Sequence, residues 1–384
     1  MDFERNPAAP LIPTFRPYFR QQDIEPAMRA LTGGWPALGP AVQQLETEFA
    51  ALSKKKYNVA VNSCTTALYL AARCVLQPGD VVGVPAITYI SSASAPALHG
   101  CRIVFVDVDP ITLLIDPADL TRKCALEGIT AVLPVHLYGN MASGLEDVIR
   151  KFRLKVIEDC AHVTSSFYTE SIACFSFETK KVLSCVNGGM LSTNDLEVAE
   201  RVRHLRFNGL NAVTFNRGPA RWDYDVVEHG ITGELDDLRA SLVLPQLQAR
   251  EQKRQIRIAN IQQFEEARKS GSVLEALPHQ AGGSFYMYVV RVRNRPHFME
   301  YMLRQGIRCG VHYKPLYKHG VFSDQTADCP NAEREWLRVV TVPNLSDFSS
   351  HERASVCEAL KRYNDEHICP SVLDTNATFS TIHS

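Results

Sequence analysis

No Cys-x-x-Cys pair occurs among the 11 cysteines, whose number is odd and whose spacing is scattered. That argues against a disulfide framework and against a structural zinc centre, and no metal site is expected. Cys74, Cys101, Cys124 and Cys174 sit in apolar runs and read as small core residues, which makes a reducing cytoplasm the simplest compartment. No apolar run is long enough to span a membrane. Met1 to Pro10 is polar and proline-rich, so no secretory signal is expected. Net charge is also nearly absent, at −1, so no overall field draws the chain to nucleic acid or an anionic membrane. No helix-turn-helix pattern or internal repeat is seen.

What is present is an ordinary globular composition, 45% hydrophobic and 22% charged, over 384 residues, enough for two domains. Short apolar runs at 58–61, 81–84, 103–106, 129–135 and 155–157 read as buried strands. Helical patterns at 65–76, 91–98, 117–126 and 144–152 lie between them. Such alternation implies an α/β fold with a mainly parallel sheet covered on both faces, and ligands at the carboxyl ends of the strands. Residues 236–269 read as one long polar helix interrupted at Pro245. Beyond it, a run at 284–292, a helix at 296–305 and a run at 308–311 suggest a small α+β unit. The expected division is a large domain over 1–245, a small one over 246–368 and a disordered tail over 369–384.

Four clusters carry chemistry. Asp159 ends the apolar run Lys155-Val156-Ile157, where a carboxylate meets a ligand about as often as it caps a turn, and His162 follows three residues later. Cys174-Phe175-Ser176-Phe177 leads to Lys180-Lys181 and then to Gly188-Gly189. A lysine in an apolar pocket has a depressed pKa and attacks aldehydes, whereas charge pattern alone would make the pair a solvated surface feature. Asn62-Ser63-Cys64-Thr65-Thr66 passes from a strand into a helix, a place that binds phosphate or is simply capped. Thr88-Tyr89 follows a strand, and the ring can stack on a flat heterocycle or merely pack.

Together, and in this order, the clusters resemble the fold-type I pyridoxal-phosphate (PLP) enzymes, and among them the DegT/StrS-type nucleotide-sugar aminotransferases. The similarity runs from about Leu31 to about Leu345. It rests on Gly33-Gly34-Trp35 with Leu38-Gly39-Pro40, on Ala60 to Leu68, and on Pro134-Val135-His136-Leu137-Tyr138-Gly139. Ile157-Glu158-Asp159-Cys160-Ala161-His162, Phe175-Ser176-Phe177 with Lys181 and Gly188-Gly189, and Gly310-Val311-His312-Tyr313 with Pro315-Leu316 complete it. The resemblance implies a large domain with a seven-stranded sheet between helices, a small α+β C-terminal domain and a homodimer with shared active sites. It implies that Lys181, five residues after Ser176, binds the cofactor's aldehyde, and that Asp159 pairs with its ring nitrogen. His162 approaches the phenolic oxygen, Tyr89 stacks on the ring, and Thr65, the Thr66 backbone and Ser176 hold the phosphate.

Three stretches depart from the family pattern. The segment between His162 and Phe175 is short, Val186-Asn187 replaces Gly-Glu, and Gly230 to Leu235 replaces a Gly-x-Asn-x-Arg-like pattern that sends an amide or basic group into the neighbouring subunit's phosphate site, a basic role that Glu234 does not fill. The activity implied is transfer of an amino group from an amino acid, L-glutamate by resemblance, to a nucleotide-linked keto-sugar, with Lys181 as anchor and proton shuttle. Two other readings stand beside it: amination of a free cyclitol or related ketone, and a degenerate paralogue that binds PLP or a sugar as a regulatory or structural partner.

Overall fold

The structure, a computed structural model, describes residues 11–33, 36–211, 224–272, 274–323 and 327–363. Gly34, Trp35 and the tail at 369–384 lie outside the described residues. In chain order the elements are α1 (Gln21–Thr32), α2 (Pro40–Ser53), β1 (Tyr57–Val61), α3 (Cys64–Val75), β2 (Val81–Pro85), α4 (Ser91–Leu98), β3 (Arg102–Val106), α5 (Pro117–Glu127), β4 (Ala131–Val132), α6 (Glu146–Phe152) and β5 (Lys155–Asp159). There follow β6 (Ile172–Ser176), β7 (Gly189–Thr193), α7 (Leu196–Leu205), α8 (Asp237–Lys269), β8 (Glu275–Ala276), β9 (Tyr288–Arg291), α9 (Arg295–Arg304), α10 (Pro330–Glu335), β10 (Val339–Val342) and α11 (Ser350–Arg362).

Seven strands form one sheet in the order β1-β7-β6-β5-β4-β2-β3. Strand β7 is antiparallel to both neighbours, and β6, β5, β4, β2 and β3 run parallel. A strand antiparallel to β7 is parallel to β6, so β1 shares the common direction. The carboxyl ends of β1, β2, β5 and β6 therefore open on one edge. The strands read as continuous apolar runs because both faces are covered: Val59, Ala60 and Val61 are fully buried, as are Val84 and Val106. A separate antiparallel sheet, β10-β9-β8, packs with Phe264 of α8 and Phe298 of α9. Among the described residues no helix is long and apolar enough to cross a membrane.

Two sequence expectations are corrected. The apolar run at 129–135 yields a strand of only two residues, because Pro134 has no N–H to give to a ladder. The chain stays extended past it, and Val135 still bridges Asp159. Helix α8 is not interrupted at Pro245 but runs 33 residues through it. The lost N–H costs one bond, whereas both flanks of the proline are buried at Ala240, Val243 and Leu247. The Gln246 amide also donates to Leu242 O at 2.6 Å, inside the weakened turn.

The short segment after His162 is organised by a buried carboxylate. Glu158 accepts hydrogen bonds from the Ser166 hydroxyl (2.6 Å), the Phe167 N–H (2.7 Å), the Tyr168 N–H (3.3 Å) and the Ser171 hydroxyl. His136 Nδ1 accepts from the Ala142 N–H, so its Nε2 carries the proton and donates to Glu158 at 2.7 Å. With Cys160 these side chains cluster closely enough for a metal, but the histidine and carboxylate are committed to each other and to the loop. The ten described cysteines are free.

Candidate active site

A cavity of about 420 Å³ lies at the shared edge of the strands, and it brings together six of the seven residues singled out by sequence: Thr65, Tyr89, Asp159, His162, Ser176 and Lys181. Thr66 stands further into α3. Its N–H is taken by the Ser63 side chain at 3.1 Å, which caps the helix. Cys64 and Thr65, two and one residues earlier at the same helix start, line the cavity, and Thr65 Oγ1 pairs with Ser91 Oγ at 2.8 Å. Ser176 borders the cavity from the end of β6 and accepts from the Glu178 N–H at 3.3 Å. Gly189 is required beneath this cradle: a Cβ there would lie 2.7 Å from the Cys64 nitrogen and 2.6 Å from the Ser63 carbonyl carbon.

Asp159 ends β5, where Ser92 Oγ donates to its Oδ2 at 2.7 Å and the Ala161 N–H to its Oδ1 at 3.0 Å. Burial pushes this carboxyl above its ordinary value, against the opposing pull of those two hydrogen bonds and of the Lys181 charge. Burial lowers the Lys181 amine, against attraction by Asp159 and Glu178. The two lysines are thereby distinguished: Lys181 turns inward with its amine 5.5 Å from the Tyr286 ring centroid, while Lys180 is exposed. His162 accepts the Tyr138 N–H on Nδ1 at 3.2 Å, which leaves its proton on Nε2, facing the Tyr313 hydroxyl at 3.5 Å. Burial and the Lys181 charge hold its pKa well below the ordinary range, so the ring is neutral. Tyr89 is 57% exposed at the mouth, with its ring 5.7 Å from that of Tyr313.

Sequence reasoning assigned no role to several neighbours. Ser92 is the hydroxyl on Asp159, and its signal was legible only as the Ser91-Ser92 start of α4 just after Tyr89. Tyr286 stacks with Phe15 (5.7 Å) and donates to the Lys180 carbonyl at 3.0 Å. Gln246 holds Ser184 by both its N–H (3.2 Å) and its carbonyl (2.7 Å), docking the Lys181 loop on α8. No local pattern announces these contacts, which join residues more than 60 positions apart. The segment carrying Glu234 packs on its own chain: Asn62 donates its N–H to Gly233 O at 2.7 Å, and Val61 bridges Glu234.

A nucleophilic amine, a buried carboxylate, a hydroxyl-lined helix start and an aromatic at the mouth form a donor set fitted to a phosphorylated heteroaromatic aldehyde. The profile of the DegT/DnrJ/EryC1/StrS aminotransferase family matches residues 17–361. The chain belongs to that family. It is a PLP-dependent aminotransferase, with the α/β fold of that group. Among relatives, the spore coat polysaccharide biosynthesis protein SpsC of Bacillus subtilis is 31% identical, over 91% of this chain and 96% of its own. The aminotransferase TlmJ from Streptoalloteichus hindustanus superposes with a TM-score of 0.84 at 25% identity, covering 91% of this chain and 98% of its own. The PLP-form of Spr1654 from Streptococcus pneumoniae gives 0.82 at 25% identity, with coverages of 91% and 98%.

Proposed function

We propose that this enzyme moves an amino group from an amino acid, L-glutamate, to a nucleotide-linked keto-sugar in two half-reactions, with Lys181 as the cofactor lysine. The observation that carries the reading is the enclosed Lys181 amine, depressed by burial, in one cavity with Asp159. Membership of the family and the polysaccharide-biosynthesis name of SpsC support a sugar as acceptor.

In this reading Lys181 would bind the cofactor's aldehyde, Asp159 would pair with its ring nitrogen, and His162 Nε2–H would donate to its phenolic oxygen. Thr65, Ser176 and the start of α3, with Thr66 fixed by the Ser63 cap, would hold its phosphate, and Tyr89 would cover its ring. Bound PLP supplies an electron sink that acidifies the α-carbon of the amino donor. Lys181, whose amine burial shifts towards its neutral form, would take the α-proton as general base and return it as general acid. Ser92 and the Ala161 N–H fix both oxygens of Asp159, so the carboxylate does not rotate away when a cationic group approaches. A homodimer and a cytoplasmic location complete the proposal.

The test is a pair of variants. Lys181→Ala should lose the visible absorption band of lysine-bound cofactor and all transamination, while Lys180→Ala keeps both. A normal band in Lys181→Ala overturns the assignment. Adding glutamate to the loaded wild type should bleach that band and yield pyridoxamine phosphate, and a screen of keto-sugars against that form identifies the acceptor.

A further inference from the structure

Behind the active site lies a second cavity of about 240 Å³ that shares no lining residue with the first. Arg250, Arg254 and Arg257 border it from α8, and Thr164, Ser165 and Gly282-Gly283 border it from the facing loops. The one carboxylate on its rim, Glu251, is engaged by Arg254 (3.2 Å) and Gln255 (2.7 Å). Arg254 also clamps the 281–285 loop, donating to Gly283 O (2.8 Å) and Ala281 O (2.6 Å).

Arg257 is the exceptional member. It is 4% exposed, yet its Nε donates only to Ser284 O at 3.2 Å, and it makes no ion pair among the described residues. Its terminal nitrogens have no acceptor among the described residues and are not sealed from solvent, so they are open to water or to an anion in the cavity that Arg257 lines. Burial lowers its pKa to about 10, which still leaves it cationic at neutral pH.

Three guanidinium groups and two hydroxyls around a small cavity form a cradle for a tetrahedral oxyanion, since the planar fork of arginine matches phosphoryl oxygens bidentately. We propose that this cavity is a second anion site, taking a small molecule with one or two phosphoryl groups. The ligand is not the cofactor's phosphate, whose cradle is the α3 start. The site is wired to the first through one residue: Arg257 holds the Ser284 carbonyl, and the Ser284 hydroxyl donates to His162 O at 2.6 Å. Val163 and Val182, which line the second cavity, directly follow His162 and Lys181.

Calorimetric titration of the cofactor-loaded enzyme with inorganic pyrophosphate tests this, because loading fills the first cradle. One pyrophosphate should bind per chain, and Arg257→Gln should weaken it by about tenfold or more, the loss expected for one charge-assisted contact. Arg250→Gln, at a half-buried rim position, should weaken it similarly and serves if Arg257→Gln does not fold. Arg150→Gln, whose side chain is 81% exposed on α6, should leave it unchanged. A parallel titration with UDP distinguishes the source of the phosphoryl groups. Binding at least tenfold tighter than pyrophosphate points to the diphosphate of a nucleotide substrate, and equal binding points to a free anion. No heat from either probe at millimolar concentration, or affinities unchanged in both arginine variants, overturns the proposal. Binding is read without turnover, so that failure would leave the aminotransferase reading standing.

Discussion

Asp159 and Lys181 hold opposite charge tendencies in one enclosed space, and each restrains the other. Burial raises the carboxyl and lowers the amine, while their mutual attraction works against both shifts. The Asp159 side chain is fixed by two donors, so Asp159→Asn preserves shape while removing the charge that would meet a protonated ring nitrogen. The expected result is partial retention of cofactor and a fall on the order of a hundredfold or more in deuterium exchange at the α-carbon of the amino donor. An unchanged exchange rate would contradict the role. Gly189 offers a second residue-scale test. A methyl there drives into Ser63 and Cys64, so Gly189→Ala should weaken phosphate retention, read as faster loss of PLP on dialysis. At this scale the sequence was informative where chemistry is local. The distance from Ser176 to Lys181, and the placement of Asp159 at a strand end, are visible in a string of letters. Ser92, Tyr286 and Gln246 are not, because their meaning arises only when distant segments meet.

The strands were readable as elements because burial on both faces makes them apolar throughout. Pro134 and Pro245 show where such reading fails. The same residue type shortens a strand, whose every N–H is needed by a neighbour, yet passes unnoticed in a long helix that loses one bond among many. The segment between β5 and β6 was legible only as short. Folding shows what replaces length there: Glu158 gathers two hydroxyls and two N–H groups of the loop around one carboxylate. Burial opposes ionisation of Glu158, but hydrogen bonds from His136, Ser166 and Ser171 hold its pKa down at about 2, below the ordinary 4.5. A carboxyl depressed in the folded state stabilises fully above its unfolded pKa. That contribution is lost as pH falls from about 4.5 towards 2, and from the size of the shift it is roughly 3 kcal/mol. Acid titration of the melting temperature should therefore show a descending limb in that window for the wild type. Glu158→Gln should melt lower at neutral pH and lack most of that limb, and an identical acid limb in both proteins would refute the account.

On the scale of the whole molecule, the active site is a seam, closed on one side by strand ends of the large sheet and on the other by Tyr286, Met287, His312 and Tyr313 from the last third of the chain. The N-terminal strap crosses that seam. Ile12 bridges Ile307, Phe15 stacks on Tyr286 beside Lys181, and Arg16 is held at both Asp347 (2.7 Å) and Glu352 (2.7 Å). Arg16 is the anchor of the strap: its hydrogen bonds pull the Glu352 carboxyl down to about 2, and Glu352 also closes the capping box that starts α11. Removing the guanidinium should cost about 2 kcal/mol of charge-assisted bonding and free Phe15 from its place over Tyr286. Because Tyr286 also holds the Lys180 backbone, the effect should reach the lysine loop without touching a reacting atom. Arg16→Ala is thus expected to lower the melting temperature and raise KM for the amino donor several-fold, with the absorption band of lysine-bound cofactor retained. Arg16→Lys, which keeps the charge but not the two-pronged geometry, should fall between. A variant that melts lower with unchanged KM would show that the strap serves stability alone and that the seam is shaped without it.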